Sequence, residues 1–272
     1  MTTSPTSDTT SPRPLAVVTG ASSGIGRALA QQFADHDFDL VVVAEDDALQ
    51  AAADELEHTG AQVRAVQVDL ATPDGVEKLH EVLRDDGRPV AAAALNAGVG
   101  VSGRFHETDL AAHLRLVDLN VRSTVHLAGI LIPGMVQRGE GRLLFTASVA
   151  ATVPGPYYAT YAASKSFVHS MAQGIRHELA DTGVTVTSLM PGPTETDFFE
   201  RAGMTDTKVG ASDKDDATDV ARDGYEALMA GKDHVVAGSW QNTAQVVGAR
   251  VLPDTAGAAV HARMTQPDTA ER

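Results

Sequence analysis

Short apolar runs alternate with longer amphipathic stretches along most of the chain. The apolar runs predict strands over residues 15–18, 40–43, 63–68, 90–95, 142–146, 184–189 and 234–237. Helical periodicity covers 27–36, 48–58, 110–137, 159–181 and 220–229, and Thr72-Pro73 has the form of a helix start. Continuously apolar strands that alternate with helices are typical of a parallel sheet covered by helices on both faces. The pattern therefore predicts a single-domain, doubly wound α/β fold.

The two ends of the chain have a different composition. Residues 1–14 are mostly Ser, Thr and Pro, which predicts a disordered tail. The domain is predicted to cover 15–264, and residues 265–272 are predicted to fray. Within the domain, 191–215 is rich in Pro, Gly, Asp and Thr, and we expect a loop there with one short helix.

Composition narrows the function. The 272 residues contain no cysteine, which excludes disulfides, thiolate metal sites and a cysteine nucleophile. The formal charge of −15 disfavours nucleic acid and anionic membrane surfaces as partners. The histidines are scattered, so we expect no metal, and no apolar run approaches a membrane span, so we expect a soluble, cytoplasmic protein.

A glycine-rich turn follows the first predicted strand and runs directly into a helix. It reads Gly20-Ala21-Ser22-Ser23-Gly24-Ile25-Gly26. Glycines let the backbone lie close to a pyrophosphate, and the helix N-terminus offers free N–H groups and a partial positive charge. A tight turn without any ligand explains the glycines too, but the strand–turn–helix context favours phosphate binding.

Acidic residues end the second strand, beginning with Glu45. A carboxylate here suits the adenosine ribose hydroxyls and repels a ribose 2′-phosphate, by about 3 kcal/mol at roughly 5 Å and an effective dielectric near 20. NAD(H) is therefore favoured, with NADP(H) as the alternative. The acids also suit the start of the following helix without any cofactor role.

Tyr161 and Lys165 are four residues apart in a predicted helix, so both side chains can face one site. A nearby ammonium is expected to lower the phenol pKa toward the range useful for proton transfer. Ser148 comes just past the fifth strand, at the sheet edge where ligands bind in such folds. Asn120 lies inside a helical stretch, an unfavourable place for asparagine unless it is on the surface or is a buried polar relay.

The chain resembles the short-chain dehydrogenase/reductase family, with its Rossmann-type fold, over residues 15 to about 240. The matching motifs come in the family's order: Gly20-x-x-x-Gly24-x-Gly26, Asp69-Leu70, Asn96-Ala97-Gly98, then Asn120, Ser148, Tyr161 and Lys165, and last Pro191-Gly192 with Thr194 and Thr196. One departure is Glu45, because similar-looking members often carry arginine there and look NADP-selective.

The resemblance implies a role for each motif. Tyr161 would be the general acid/base, with Lys165 lowering its pKa and holding the nicotinamide ribose. Ser148 would bind the substrate oxygen, and Asn120 would anchor a water behind Lys165. Asp69-Leu70 would contact adenine, and the segment from Pro191 to Thr196 would hold the carboxamide.

The same resemblance implies a hydride-transferring oxidoreductase that acts on a small carbonyl or alcohol substrate as a homodimer or homotetramer. The alternatives are a non-catalytic nucleotide-binding regulator or scaffold with the same fold and, among enzymes, a nucleotide-sugar dehydratase or epimerase. Tyr157 and Tyr158 could line the substrate pocket. Phe198, Phe199 and Met204 could form an apolar lid or simply pack on the core.

Overall fold

The computed structural model describes residues 13–249 and 253–270, and within them seven parallel strands form one sheet. In chain order these are β1 (Leu15–Thr19), β2 (Asp39–Ala44), β3 (Val63–Gln67), β4 (Val90–Leu95), β5 (Gly141–Thr146), β6 (Val184–Pro191) and β7 (His234–Ala237). Across the sheet the order is β3-β2-β1-β4-β5-β6-β7. The winding direction reverses between β1 and β4, which opens a crevice at the carboxyl ends of the strands. The predicted doubly wound α/β fold is confirmed.

Helices connect the strands. They are α1 (Gly24–Asp35), α2 (Ala48–Glu57), α3 (Pro73–Asp86), α4 (Leu110–Val117), α5 (Ser123–Arg138), α6 (Ala159–Glu178), α7 (Phe198–Arg201), α8 (Lys208–Ala211), α9 (Ala217–Met229), α10 (Trp240–Ala249) and α11 (Asp254–Thr265). The predicted start at Thr72 is confirmed, because its hydroxyl accepts the Gly75 N–H at 3.0 Å and caps α3.

The two faces of the sheet bury separate cores, because alternate strand residues point to opposite faces. On one face Val17, Leu143 and Val186 pack against α3, α5 and α6. On the other face Val18 and Val42 pack against α1, α2 and α9. Apolar burial at both faces, worth about 25 cal/mol per Å², fixes the strand ends as a rigid edge on which a site can be built.

The stretch 110–137, predicted as one helix, is divided in the structure. A π-helical turn, Asp118–Arg122, separates α4 from α5. Hydrophobic periodicity cannot reveal such a turn, because it shifts the face of the helix without breaking the helical pattern. The segment 191–215 likewise contains two short helices, α7 and α8, where one was expected.

The structure describes only part of the two predicted ends of the chain. Most of the predicted tail, 1–12, lies outside the described residues. The predicted fraying after 264 is not seen over 265–270, where the Thr269 and Ala270 N–H groups both donate to the Asp206 carbonyl at 2.9 Å. The C-terminal segment is therefore fastened to the α7–α8 region.

One helical stretch, Leu110–Arg138, is long and apolar enough to cross a membrane by length and composition alone. Of its most apolar 18-residue window, 44 % is buried inside the fold. Leu127, Leu131 and Met135 of this stretch pack into the core against the sheet. A core helix of a sheet protein passes the same test, so the stretch is weak evidence for a membrane span.

Candidate active site

A cleft of about 750 Å³ opens at the carboxyl edge of the sheet. Every residue that the sequence analysis assigned to cofactor contact lines it, and so do Ser148, Tyr161 and Lys165. Asn120 is not among the lining residues. The fold therefore brings together motifs that are spread over most of the chain, because each motif follows a strand that ends at this edge.

The glycine turn after β1 lies against the backbone of its neighbours. A Cβ on Gly26 would lie 2.0 Å from the Gly20 carbonyl oxygen, and Gly20 itself has a φ of +67°. Only glycine fits so close a backbone contact. The N-cap of α1, Ser23, makes no side-chain capping bond. The first amides of α1 are thus left available to an anion in the cleft.

Asn96 ties β1 to β4 at the floor of the cleft. Its side-chain amide donates to the Thr19 carbonyl at 3.2 Å, and the Thr19 hydroxyl accepts the N–H groups of Asn96 and Ala97 at 2.9 and 3.0 Å. In this structure the Asn96 side chain therefore bonds to the protein itself while the residue lines the cleft.

Two carboxylates at the adenosine end of the cleft are bound by a cation that is not itself among the lining residues. Arg115, on α4, donates to a Glu45 carboxylate oxygen at 2.5 Å and to an Asp69 carboxylate oxygen at 2.8 Å. Its hydrogen bond holds the pKa of the Asp69 carboxyl below its ordinary value. Sequence offers no signal for this contact, because Arg115 is 70 residues away from Glu45.

Asn120 sits in the π-helical turn, 1 % exposed. Its side-chain oxygen accepts the Val99 N–H at 2.9 Å, and its amide donates to the Val99 carbonyl and the Ser164 hydroxyl. A Cβ on Gly98 would lie 3.1 Å from that oxygen and 3.3 Å from the Lys165 ammonium. Asn120 is therefore buried rather than on the surface, and its role in a proton relay behind Lys165 stays a prediction.

Three polar side chains, those of Ser148, Tyr161 and Lys165, meet in the cleft. The Ser148 hydroxyl, which caps a 3₁₀ turn (Val149–Thr152) by accepting the Ala150 N–H at 3.1 Å, also hydrogen-bonds the Tyr161 phenol. The Lys165 ammonium donates to the Thr146 carbonyl at 2.8 Å and lies 5.8 Å from the centre of the Tyr161 ring.

Burial is the main cause of the pKa shifts of Tyr161 and Lys165. It raises the pKa of Tyr161 to about 12 against the opposing hydrogen bond from Ser148, and it lowers the pKa of Lys165 to about 8. The expectation that Lys165 lowers the phenol pKa is not met in this structure. The physical reason is that the loss of water around the phenol raises this pKa by more than the Ser148 hydroxyl lowers it.

Beyond Tyr161 the cleft wall becomes apolar. Phe198, Phe199 and Met204 line it and belong to one small cluster with Tyr158 and Ala150. These residues therefore line the cleft and also pack in one apolar cluster, and their role as a lid stays a prediction. Tyr158 lines the cleft as well, whereas Tyr157 lines a separate cavity of about 510 Å³.

The C-terminal helix completes this wall. Val260, His261 and Met264 of α11 line the cleft, and the Tyr158 hydroxyl is 2.8 Å from the His261 Nδ1 atom. These three residues belong to no motif that the sequence reveals. Nothing in one sequence indicates which helix folds back over the site.

Comparisons with known proteins agree with this geometry. A family model described as short chain dehydrogenase matches residues 14–206. The 1-deoxy-11-beta-hydroxypentalenate dehydrogenase of Streptomyces exfoliatus is 38 % identical over 207 residues, which cover 73 % of this chain and 75 % of that protein.

Two solved structures contain nicotinamide cofactors. A short-chain dehydrogenase from Sphingobium yanoikuyae in complex with NADPH is similar with a TM-score of 0.77 and 32 % identity, covering 82 % of this chain and 87 % of that one. A short chain dehydrogenase/reductase from Burkholderia phymatum in complex with NAD has a TM-score of 0.78 and 27 % identity, covering 88 % and 92 %.

Proposed function

We propose that this chain, which belongs to the short-chain dehydrogenase/reductase family, is a member that prefers NAD(H) and uses Tyr161 as its acid/base. Family membership carries the general activity: the chain is an NAD(P)-dependent oxidoreductase that interconverts a carbonyl and an alcohol. The comparisons give no support to a non-catalytic regulator. The observation that carries the specific proposal is the meeting of Ser148, Tyr161 and Lys165 in one cleft.

The cleft fits a nicotinamide dinucleotide. At one end are the carboxylates of Glu45 and Asp69, in the middle the uncapped start of α1, and at the other end Ser148. These groups suit, in that order, ribose hydroxyls, a pyrophosphate and a reacting carbonyl. We assign to cofactor contact the glycine turn, Asp69-Leu70, Asn96-Ala97-Gly98 and the segment from Pro191 to Thr196.

NAD(H) is the preferred cofactor in this proposal. Three carboxylates, those of Glu45, Asp46 and Asp69, line the adenosine end, and Arg115 contributes one positive charge to it. Arg27, just past the glycine turn, is paired with Glu55 of α2. The balance near Glu45 stays negative, which disfavours a ribose 2′-phosphate.

The chain's own residues supply the proton and the orientation. A bound nicotinamide supplies or takes up hydride at its C4 atom. In the reduction direction the Tyr161 hydroxyl donates its proton to the substrate oxygen, and Ser148 donates a second hydrogen bond to that oxygen as negative charge develops there. In the oxidation direction Tyr161 must first lose its proton. We propose that the Lys165 ammonium, 5.8 Å from the centre of the Tyr161 ring, offsets part of the burial penalty on this loss. Asn120 fixes the loop at Val99 behind Lys165.

The apolar wall indicates the kind of substrate. This wall provides few hydrogen-bond partners for a sugar or another strongly hydrated substrate. It is formed by Phe198, Phe199, Met204, Val260 and Met264. Such a wall favours a bulky, mainly apolar ketone or secondary alcohol. We therefore propose that class of small molecule as the substrate.

Assembly and location are also part of the proposal. Four apolar side chains on α4, α5 and α6 are 40–55 % exposed, namely Leu114, Val117, Val125 and Phe167. An exposed apolar face of this kind suits contact with a second copy, so we propose a homodimer or homotetramer. We also propose that residues 15–264 form a single oxidoreductase domain and that the protein is located in the cytoplasm.

Removal of the Tyr161 hydroxyl tests the proposed role of this residue. For Tyr161→Phe we expect turnover of an aryl ketone with NADH to fall at least about 100-fold, because general acid–base catalysis contributes that much or more. NADH affinity, measured by calorimetry, should stay within about threefold. Tyr157→Phe is the matched control, since Tyr157 lines a different cavity. Near-native turnover in Tyr161→Phe would remove the proposed mechanism.

A further inference from the structure

The loop between β6 and α9 carries part of the apolar cleft wall, and its two ends meet at one point. The backbone N–H of Asp215 donates to the Pro193 carbonyl at 2.8 Å, and the Asp215 carbonyl accepts the Glu195 N–H at 2.9 Å. These bonds form an isolated parallel bridge between Thr194 and Asp215. Because Asp215 directly precedes Asp216, the N-cap of α9, the bridge closes the base of the loop.

The side chain of Asp215 fastens this base to the turn between β7 and α10. One carboxylate oxygen accepts the Ser239 N–H at 2.9 Å, and the other accepts the Asn242 side-chain amide at 2.7 Å. The same amide donates to the Ala237 carbonyl at 2.8 Å, at the end of β7. Asn242 is 27 residues away from Asp215 in the chain and only 4 % exposed. The pair therefore connects the loop to the rigid edge of the sheet.

Two glycines leave room for this pair of side chains. A Cβ on Gly192 would overlap the Asn242 side-chain oxygen, and a Cβ on Gly238 would overlap a carboxylate oxygen of Asp215. Gly238 also has a φ of +83°, a left-handed conformation that favours glycine. Gly192 directly follows β6, and both Gly192 and Asn242 line the cleft. Asn242 thus packs on the backbone at the point where the loop leaves the sheet.

We propose that Asp215 and Asn242 are positioning residues that fix the place of the nicotinamide ring in the cleft. They act on the segment from Pro191 to Thr196, which is bonded to Asp215 and packed against Asn242. A segment that is already held before the cofactor binds does not have to be ordered by it, so less binding free energy is lost. The inference rests on the proposed function, which takes this segment as a part of the cleft that contacts the cofactor.

A purely structural role of the pair would give a different result. Internal hydrogen bonds stabilise a fold wherever they lie, so their loss lowers the melting temperature in either case. If the pair only stabilised the fold, its loss would affect the binding of all nucleotides alike. A positioning role instead predicts a loss of affinity confined to ligands that carry the nicotinamide ring.

NADH and ADP-ribose separate the two roles. ADP-ribose has the adenosine, the pyrophosphate and the second ribose of the cofactor, but no nicotinamide. Calorimetric affinities of both ligands would be measured for the native protein, Asp215→Ala, Asn242→Ala and the double variant. We expect each single substitution to weaken NADH binding about tenfold and to change ADP-ribose binding by about twofold or less. Because the two residues act through one contact, the double variant should also lose about tenfold rather than about 100-fold.

Asp39→Ala is the matched control for these variants. The Asp39 carboxylate also accepts a backbone N–H, that of Gln62 at 2.9 Å, and a side-chain donor, that of Arg88. It lies at the start of β2 and is not among the residues that line the cleft. We expect this variant to have a lower melting temperature and an unchanged ratio of the two affinities.

A conservative substitution keeps the test open if Asp215→Ala does not fold. Asp215→Asn preserves the shape of the side chain and an oxygen for the Ser239 N–H, but it turns one amide toward the amide of Asn242. The same selective loss of NADH affinity is expected from it.

Equal weakening of NADH and ADP-ribose, or no weakening of either, would overturn the inference. A loss of about 100-fold in the double variant would overturn it too, because the two residues would then act independently. A native protein that binds neither ligand would instead contradict the proposed function itself. The two failures are therefore distinguishable.

Discussion

At the scale of single residues, the most unusual feature is a lysine buried beside a partly buried tyrosine. Lys165 is 5 % exposed, and the loss of water lowers its pKa to about 8. The shift from 10.5 corresponds to about 3 kcal/mol by which the fold disfavours the ammonium. The chain keeps this lysine where an apolar residue would be more stable, which is typical of a residue retained for chemistry.

We expect Lys165→Met to be more stable than the native protein at pH 7, by about 2 kcal/mol. Removal of the buried charge raises the free energy of unfolding by about 3 kcal/mol. Loss of the hydrogen bond to the Thr146 carbonyl lowers it by about 1 kcal/mol. Below pH 8 the lysine is charged in both states and the full penalty is present, whereas between about pH 8 and 10.5 the penalty fades. The advantage of methionine should therefore shrink over that range.

Urea unfolding of both proteins at pH 7 and pH 10 measures this difference. Turnover should be lost in Lys165→Met at either pH. A native protein as stable as the variant at pH 7 would show that the burial penalty is offset elsewhere.

Residue spacing explains which contacts could be predicted. Tyr161 and Lys165 are one helical turn apart, so the sequence alone places them on one face. The pKa of Tyr161 could not be predicted in the same way, because it depends on how much water the folded wall excludes. Arg115 and Glu45 belong to separate elements, and only the finished fold brings them into contact.

At the scale of elements, the helices that cross or close the cleft determine which side chains lie at the site. The π-helical turn between α4 and α5 directs Asn120 inward, so that the otherwise unfavourable asparagine becomes a buried anchor for the loop at Val99. At the far end, α11 lies over the substrate side, and Thr265 donates to the Pro156 carbonyl at 2.9 Å. This helix lies beyond the residues that the family model matches, 14–206.

We expect Val260→Trp to discriminate between substrates by size. Val260 of α11 lines the cleft, so an indole there should fill space that a bulky ketone needs. The value of kcat/KM for valerophenone with NADH should fall about tenfold, equivalent to about 1.4 kcal/mol, while that for butanone stays within about twofold.

Val247→Trp is the matched control for that experiment. Val247 is 60 % exposed on α10, against 52 % for Val260 on α11, and it is not among the residues that line the cleft. Equal losses for both ketones, or equal effects of the two variants, would contradict the role of α11 as a substrate wall.

At the scale of the whole molecule, the pattern of strands and helices was sufficient to predict the fold class. Each predicted strand lies within two residues of the observed bounds, because continuous apolar runs can be buried only in a sheet covered on both faces. The return of residues 265–270 to Asp206 could not be predicted, since it depends on backbone hydrogen bonds that carry no sequence signal. The exposed apolar face on α4, α5 and α6 belongs to this scale as well.

We expect the native protein to sediment as a dimer or tetramer and Phe167→Glu to shift it toward the monomer. Phe167 is 43 % exposed on α6, and a carboxylate there would be buried at the proposed contact without a partner. Sedimentation velocity measures the species directly. Val247→Glu, on another exposed surface, should leave the assembly unchanged, and a native monomer would refute the proposed contact.

The central claim is that one cleft binds a nicotinamide cofactor, with NADH preferred, and presents it to Tyr161. Parallel calorimetric titration of the native protein with NADH and NADPH tests this claim most directly. We expect both to bind and NADH to bind about tenfold more tightly, because the charge around Glu45 stays negative despite Arg115. Tighter binding of NADPH would contradict the assigned preference, and binding of neither would contradict the assignment of the cleft as a cofactor site.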